Sequence, residues 1–424
     1  MKLLIEEASL LTYPIMQTKT LVDHFFRTEY GKAVSHLTNR FGSKNLELAE
    51  DAVQESLIKA MQTWPYSQIP DNPTGWILRV AGNKMIDQLR RDQKMDKQDV
   101  PDASIELEEQ LSFEAINDDM IRMMFACCHP TLSAEYQIIL TLKILGGLSV
   151  REIATALMKK EETVAKAYTR AKKKFKKEEI KLLLPPANEI EKRLDIVLQI
   201  IYLLFNEGYK AAEGPHLIRE ELCEEAIRLN RVLLESEICN TPAANALVSL
   251  MFFQVSRFNA RTDDGGNLVR LQDQDRSQWD QALIGLGLEY LEKASASEVL
   301  NEYLIQASIN ASHCTATTFE ETDWGNILRM YDLHLQLNNN PIIELNRVIP
   351  LQKVHGSLLA SKELERLEAT LFFEEYYLFY AIKAQILEDL GDFEKCKQSL
   401  ETAIKFVKNE REASYLSQRL AAIV

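Results

Sequence analysis

The sequence predicts an all-α protein, and three stretches carry that expectation. Asn72 to Lys94 reads as one capped amphipathic helix, Ala134 to Lys177 as three helices separated by tight turns, and the chain after Glu189 as helix-length apolar patterns alternating with short breaks. At 424 residues, 46% of them hydrophobic, the chain can bury two or three separate cores. A formal net charge of -14 argues against coating nucleic acid through bulk charge, so any such contact must be local. The six cysteines (Cys127, Cys128, Cys223, Cys239, Cys314 and Cys396) form no CxxC pair, which suits a reducing compartment better than a disulfide framework. No run approaches a membrane span, and KLLIEEASLL at the N-terminus carries acids where an export signal carries cations.

Residues 1–18 fit no motif and read as a leader. From Leu21 to Phe41, Leu21, Phe25, Phe26, Val34 and Leu37 form one stripe of a helix that Gly42 ends. A second helix, Leu46 to Trp64, is expected to bury Leu48, Ala52, Leu57, Ile58 and Met61 and to show Asp51, Gln54, Glu55 and Lys59. The loop Pro65 to Pro73 is too rich in proline for a helix or a central strand. Asn72 then caps a third helix, and Pro73 suits its first position, where the missing N–H has no intrahelical partner to lose. Trp76, Ile77, Val80, Ile86 and Leu89 recur at packing steps, whereas Arg79, Asn83, Lys84, Asp87, Gln88, Arg90 and Arg91 fall largely on the other side. Together with the Trp76 ring, that side suits unpaired nucleic acid, bases stacking on rings and phosphates meeting cations; a solvated helix face is the competing reading.

Residues 96–119 read as an acidic linker, with Asp102, Glu106, Glu108, Glu109, Glu114, Asp118 and Asp119 and no cation from Asp102 onward. Residues 120–184 then hold an apolar helix, a Gly146-Gly147 turn, a short helix opened by the capping box Ser149 to Glu152, another turn, and a long basic helix. In a helix-turn-helix the second helix enters the major groove with its N-terminal residues against base edges. Glu162, Thr163, Lys166, Ala167 and Arg170 are the expected base readers. Lys173, with Lys172, Lys174, Lys176 and Lys177, is placed to hold phosphates; a solvated basic tail is the alternative. Adjacent Cys127 and Cys128 beside His129 are poorly placed to chelate one metal ion, and no second pair at zinc-like spacing follows.

The order AEDAVQE, a Trp-Pro break, then PTGWILRVAGNKMIDQLRR resembles region 2 of a bacterial RNA polymerase sigma factor of the extracytoplasmic-function type, over about seventy positions. LSVREIA, then TV, then RAK is similar to sigma region 4, and DDMIRMMFACCHPTLSAEYQIILTLKILGGLS narrows the resemblance to the sigma group with a long helical-repeat extension. The resemblance implies a region 2 helical bundle over 19–95, a region 4 helix-turn-helix domain over 120–184, and core RNA polymerase and promoter DNA as partners. It places Asp51, Gln54 and Glu55 against the clamp helices of the polymerase largest subunit. Trp76, Arg79, Asn83, Lys84, Asp87, Gln88, Arg90 and Arg91 would hold the -10 element, with the 65–73 loop pocketing a flipped base. Glu162, Thr163, Lys166, Ala167, Arg170 and Lys173 would meet the -35 element, and the acidic linker would lie in the RNA-exit path. Three residues depart from the family pattern: Gly82 stands where Arg is usual, Lys160 where a capping Ser is usual, and Met158 replaces a turn Gly.

After Leu184-Pro185-Pro186, residues 187–424 are expected to form a TPR-like α-solenoid. Its clearest pair sets Tyr380, Ala384 and Leu387 on one helix, Gly391, Asp392 and Phe393 in the turn, and Cys396, Leu400 and Ala403 on the next; Lys408 replaces the usual terminal proline, favouring a long last helix. A concave face of stacked pairs suits a protein or peptide partner. The segment Ala260 to Asp280 interrupts the pattern as a polar insertion, in which Asp273, Asp275 and Arg276 are either surface ion pairs or a docking element. No cofactor is called for, because no Gly-rich phosphate loop or nucleophile-base set is visible and the seven histidines are scattered. The expected function is a sigma factor regulated in cis by its repeats. A regulator that uses its helix-turn-helix and a TPR-like sensor without binding core polymerase is the alternative.

Overall fold

The computed structural model describes residues 18–64, 70–92, 113–157, 159–209, 218, 220–263, 268–297, 299–370 and 372–423. Among them every regular element is helical, apart from one isolated bridge between Thr262 and Leu268. The chain divides into two compact units, residues 1–200 and 201–424.

In the first unit, α1 (Thr18–Phe41) buries Val34 and Leu37 and ends at Gly42, whose φ of 86° no continuing helix could adopt. The stripe positions Leu21, Phe25 and Phe26 lie outside the residues whose side chains are described. Helix α2 (Leu46–Thr63) buries Leu46, Ala49, Ala52, Val53, Leu57 and Ala60. Ile58 and Met61, expected inside, are each 53% exposed, because at 100° per residue they fall on the arc of Asp51 and Gln54 rather than on that of Val53. Helix α3 (Pro73–Asp92) starts as expected: the Asn72 side chain accepts the Gly75 N–H at 2.8 Å, and Ile77, Leu78, Ala81, Met85 and Ile86 are buried. Gly82 lies on that buried side.

Helix α4 (Phe113–Cys127) corrects the linker boundary, since Glu114, Asp118 and Asp119 belong to it. Asp119, 6% exposed, accepts a hydrogen bond from the Asn39 side chain at 2.6 Å and meets His36 Nδ1 at 2.7 Å, so it is an anchor on α1 rather than part of a tether. Helices α5 (Ala134–Ile144), α6 (Val150–Ala156) and α7 (Glu161–Lys177) form the expected helix-turn-helix. The capping box closes reciprocally, Ser149 N–H to the Glu152 carboxylate at 2.7 Å and Glu152 N–H to Ser149 Oγ at 3.2 Å. Lys160 occupies the N-cap of α7 without a side-chain bond, as its identity implied; Met158 lies outside the described residues. Helices α4 and α5 both pack on α1, and a Cβ on Gly31 of α1 would stand 2.7 Å from the Leu145 carbonyl oxygen, so the backbones meet there directly.

Helix α8 (Ala187–Tyr209) leads into the second unit, which continues with α9 (Glu220–Leu234), α10 (Pro242–Val255), α11 (Gln281–Ser295), α12 (Glu302–Cys314), α13 (Trp324–Leu337), α14 (Pro341–His355), α15 (Ser357–Glu368), α16 (Tyr377–Asp389), α17 (Phe393–Phe406) and α18 (Glu410–Ala422). From α9 onward each helix packs on the next, and α10 also packs on α12. Small residues set the close approaches: a Cβ on Gly287 of α11 would stand 2.7 Å from the Phe253 ring, and Ser249 donates to the Gly287 carbonyl at 2.7 Å. Ala384, Leu387, Cys396, Leu400 and Ala403 share one cluster between α16 and α17, and Asp392 caps α17 through the Lys395 N–H. The long last helix does not form. α17 stops at Phe406, and the Asn409 side chain accepts the Arg411 and Glu412 N–H groups, opening α18 instead. In the polar insertion Arg270 pairs with Asp273 at 2.5 Å, Asp275 caps a turn through the Ser277 N–H, and Arg276 donates to the carbonyls of His313 and Ala316 at 2.7 and 2.6 Å.

Candidate nucleic-acid interface

On α3, the exposed residues Arg79, Asn83, Asp87, Gln88, Arg90 and Arg91 follow one another at helical steps opposite the buried Ile77–Met85 side. Trp76 is half-buried and meets Trp64 edge to face at 5.4 Å between centroids, so α2 fixes the ring at the margin of this surface. Lys84 is tied elsewhere: its ammonium pairs with the Glu55 carboxylate of α2, which joins one residue expected on DNA to one expected on the polymerase. Asp51 and Gln54 are exposed beside Glu55, Ile58 and Met61, giving α2 an outer stripe that is partly apolar. The first five residues of the 65–73 loop lie outside the described residues.

On α7, Glu162, Thr163, Lys166, Arg170 and Lys173 are exposed, and Glu162 pairs with Lys166 at 2.6 Å. Ala167 is corrected: at 6% exposed it shares the inner face with Val164, Tyr168, Ala171 and Phe175, because it lies three residues from Val164 and four from Ala171. That leaves a donor-rich outer stripe able to meet base edges and phosphates.

Sequence reasoning did not foresee Glu50. It is 3% exposed on the packed side of α2, where it accepts from Tyr30 Oη at 2.9 Å, from Tyr168 Oη of α7, and from Lys172 Nζ at 3.1 Å; Glu47 also reaches Lys172 at 3.2 Å. Burial and then Glu50 push the Tyr30 and Tyr168 hydroxyls well above the usual phenol range. Burial alone would lower the Lys172 ammonium, but Glu50 and Glu47 outweigh it and the net direction is up. The signal was present in the sequence, since Glu50 falls in register with Leu46, Val53 and Leu57 on the apolar stripe. Cys127 and Cys128 are also buried, and burial pushes the Cys128 thiol up to about 12, so neither is poised as a thiolate. Among the described residues no His, Cys, Asp and Glu cluster could hold a metal, and no helix is long and apolar enough to cross a membrane.

Residues 26–95 match the family described as Sigma-70 region 2, residues 122–175 match Sigma-70, region 4, and residues 193–295 match a family of unknown function, DUF6596. The chain is 35% identical over 384 residues to an uncharacterized protein of Rhizobium meliloti (strain 1021), an alignment covering 89% of this chain and 90% of that one. No solved structure matches it. The α3 surface lies within the region 2 match and the α7 stripe within the region 4 match. The chain therefore belongs to the sigma-70 family of RNA polymerase sigma factors, in a form that carries a DUF6596 domain after region 4.

Proposed function

We propose that this sigma factor is of the extracytoplasmic-function type and acts in the cytoplasm. The α2 outer stripe of Asp51, Gln54, Glu55, Ile58 and Met61 docks on core RNA polymerase, an acidic rim setting register around apolar contacts. The α3 face from Trp76 to Arg91 holds the unpaired -10 strand by stacking and phosphate contacts, with Lys84 exchanging Glu55 for phosphate. Glu162, Thr163, Lys166 and Arg170 read the -35 duplex while Lys173 holds its backbone. The TPR-like helical pairs of the second unit regulate these steps in cis.

The observation that carries this reading is the presence, on two separate sigma regions, of two exposed donor-rich faces: one beside a fixed tryptophan, the other on the second helix of a helix-turn-helix. The test is transcription by purified core polymerase on promoter libraries, with the full chain and its Arg170→Ala variant. The full chain should select paired -10 and -35 motifs. Arg170→Ala should flatten preference at one or two -35 positions at a cost of about 1–3 kcal/mol. An equal loss on every template would reassign Arg170 to phosphate holding, and footprinting of DNA without polymerase would favour the polymerase-independent regulator.

A further inference from the structure

The second unit contains a cleft of about 330 Å³, formed by α12, α13, α14 and the polar insertion, within the size range of small-molecule sites. Phe319, Trp324 and Tyr331 contribute its aromatic wall; Trp324 meets Phe319 edge to face at 5.1 Å and the His313 ring at 5.3 Å. Its cations are Lys353 and Arg270, the latter already paired with Asp273 at 2.5 Å, and no aspartate or glutamate is among the residues that line the cleft itself. In a chain with 63 acidic residues against 49 basic ones, an acid-free lining that holds Lys353 without an ion-pair partner among the described residues is a local reversal of the prevailing charge.

Polar groups at and around this cleft lack suitable partners. His313 Nδ1 is buried without a hydrogen bond. Burial first, and then Arg257 and Arg276, hold the His313 imidazole down at about 3, so it is neutral and stands in a positive field. Arg257, 6% exposed, donates to Tyr209 Oη and Asn310 Oδ1 and forms no ion pair among the described residues, while Arg276 donates to backbone carbonyls and feels the Glu320 carboxylate only at a distance. Lys353 lies 5.2 Å from the Phe319 ring centroid, again with no carboxylate partner among the described residues. Pro350, inside α14, has no N–H for the Asn346 carbonyl one turn back, and both residues line the cleft. Buried cations are ordinarily matched by anions and buried ring nitrogens by partners.

We propose that this cleft binds a small planar aromatic anion, its ring against Trp324 and Phe319 and its carboxylate or phosphate reached by Lys353. The site is independent of the two DNA-facing surfaces and gives the second unit a ligand to respond to. Calorimetric titration of the full chain with phenylacetate and with phenyl phosphate, against uncharged phenylacetamide, tests it. Either anion should bind about tenfold or more tighter than the amide, as expected of a charge-assisted contact, and the tighter of the two identifies the headgroup. Lys353 is exposed, so Lys353→Gln should preserve the fold, shown by an unchanged melting temperature, while removing most of the preference for the anion and leaving amide binding as it was. Equal affinity for anion and amide, an anion preference that survives Lys353→Gln, or no binding of either anion at millimolar concentration would each overturn the assignment.

Discussion

Glu50 shows what one buried charge can organise. A carboxylate at 3% exposure is costly unless its lone pairs are filled, and two tyrosine hydroxyls and one ammonium from two other helices, α1 and α7, fill them. The arrangement fixes a direction of pH dependence. The Tyr168 hydroxyl titrates higher in the folded protein than in the unfolded chain, where phenols ionise near about 10. A raised folded value means stability that is complete below the unfolded value and lost as pH rises past it, because only the unfolded chain then releases the proton. The Lys172 ammonium, also raised, acts in the same sense. Melting temperature should therefore fall as pH is taken above about 10, and Tyr168→Phe should flatten that fall while lowering stability near neutrality by about 1–3 kcal/mol, the cost of an unmatched acceptor. An alkaline slope identical in the two proteins would remove Tyr168 from the account.

At the scale of helices, α2 has one packed face and one exposed face that carries the proposed docking stripe. Leu46, Ala49, Val53, Leu57 and Ala60 build the region 2 core, so Ile58 and Met61 are left in solvent beside Asp51 and Gln54. Two large apolar side chains, each half exposed on one acidic stripe, suit a surface that another protein covers. Ile58→Asp should change the melting temperature little, since Ile58 is not among the buried core residues, and weaken core-polymerase binding by about tenfold or more in a sedimentation or interferometry titration. Unchanged binding would move the docking face off α2. Local chemistry made such helices legible: the Asn72 cap, the Ser149–Glu152 box, and the Ala384, Cys396 and Ala403 spacing all landed where the residue types required. What one helix cannot encode is the identity of its cover. Asp119 read as tether because its partners His36 and Asn39 lie some eighty positions away, and Ala167 read as DNA-facing because the period does not say which side the other helices take. The stripe of helix α15 is hard to read for a related reason. Its buried Ala360, Leu364 and Leu367 are interleaved with Leu358 and Leu359, which are 67% and 44% exposed and blur the stripe.

The first unit as a whole holds α3 and α7, the helices proposed to meet DNA, in one packed body. Region 2 and region 4 are joined through α1 against α4 and α5, through the backbone contact at Gly31, and through Glu50 with Tyr168 and Lys172. Promoter elements centred about 25 positions apart are separated by about 85 Å of B-form DNA at about 3.4 Å per step, whereas a compact body of 200 residues has a radius of gyration of only about 16 Å. If α3 and α7 hold those two elements as proposed, they do not reach both from this arrangement, and productive binding then requires region 2 and region 4 to separate. All six native cysteines are buried, which allows spin labels to be placed selectively through Gln62→Cys on α2 and Lys176→Cys on α7, both exposed positions. Dipolar distance measurements should find one narrow population in the free protein and a population longer by tens of Å, on the scale of that element spacing, once core polymerase and promoter are added. Glu50→Gln, which weakens the Lys172 contact, and Gly31→Ala, which forces the α1 and α5 backbones apart, should each move part of the free protein toward the longer distance. If the promoter complex keeps the short distance, the packed body is itself the DNA-binding form and the two faces must serve adjacent rather than separated elements.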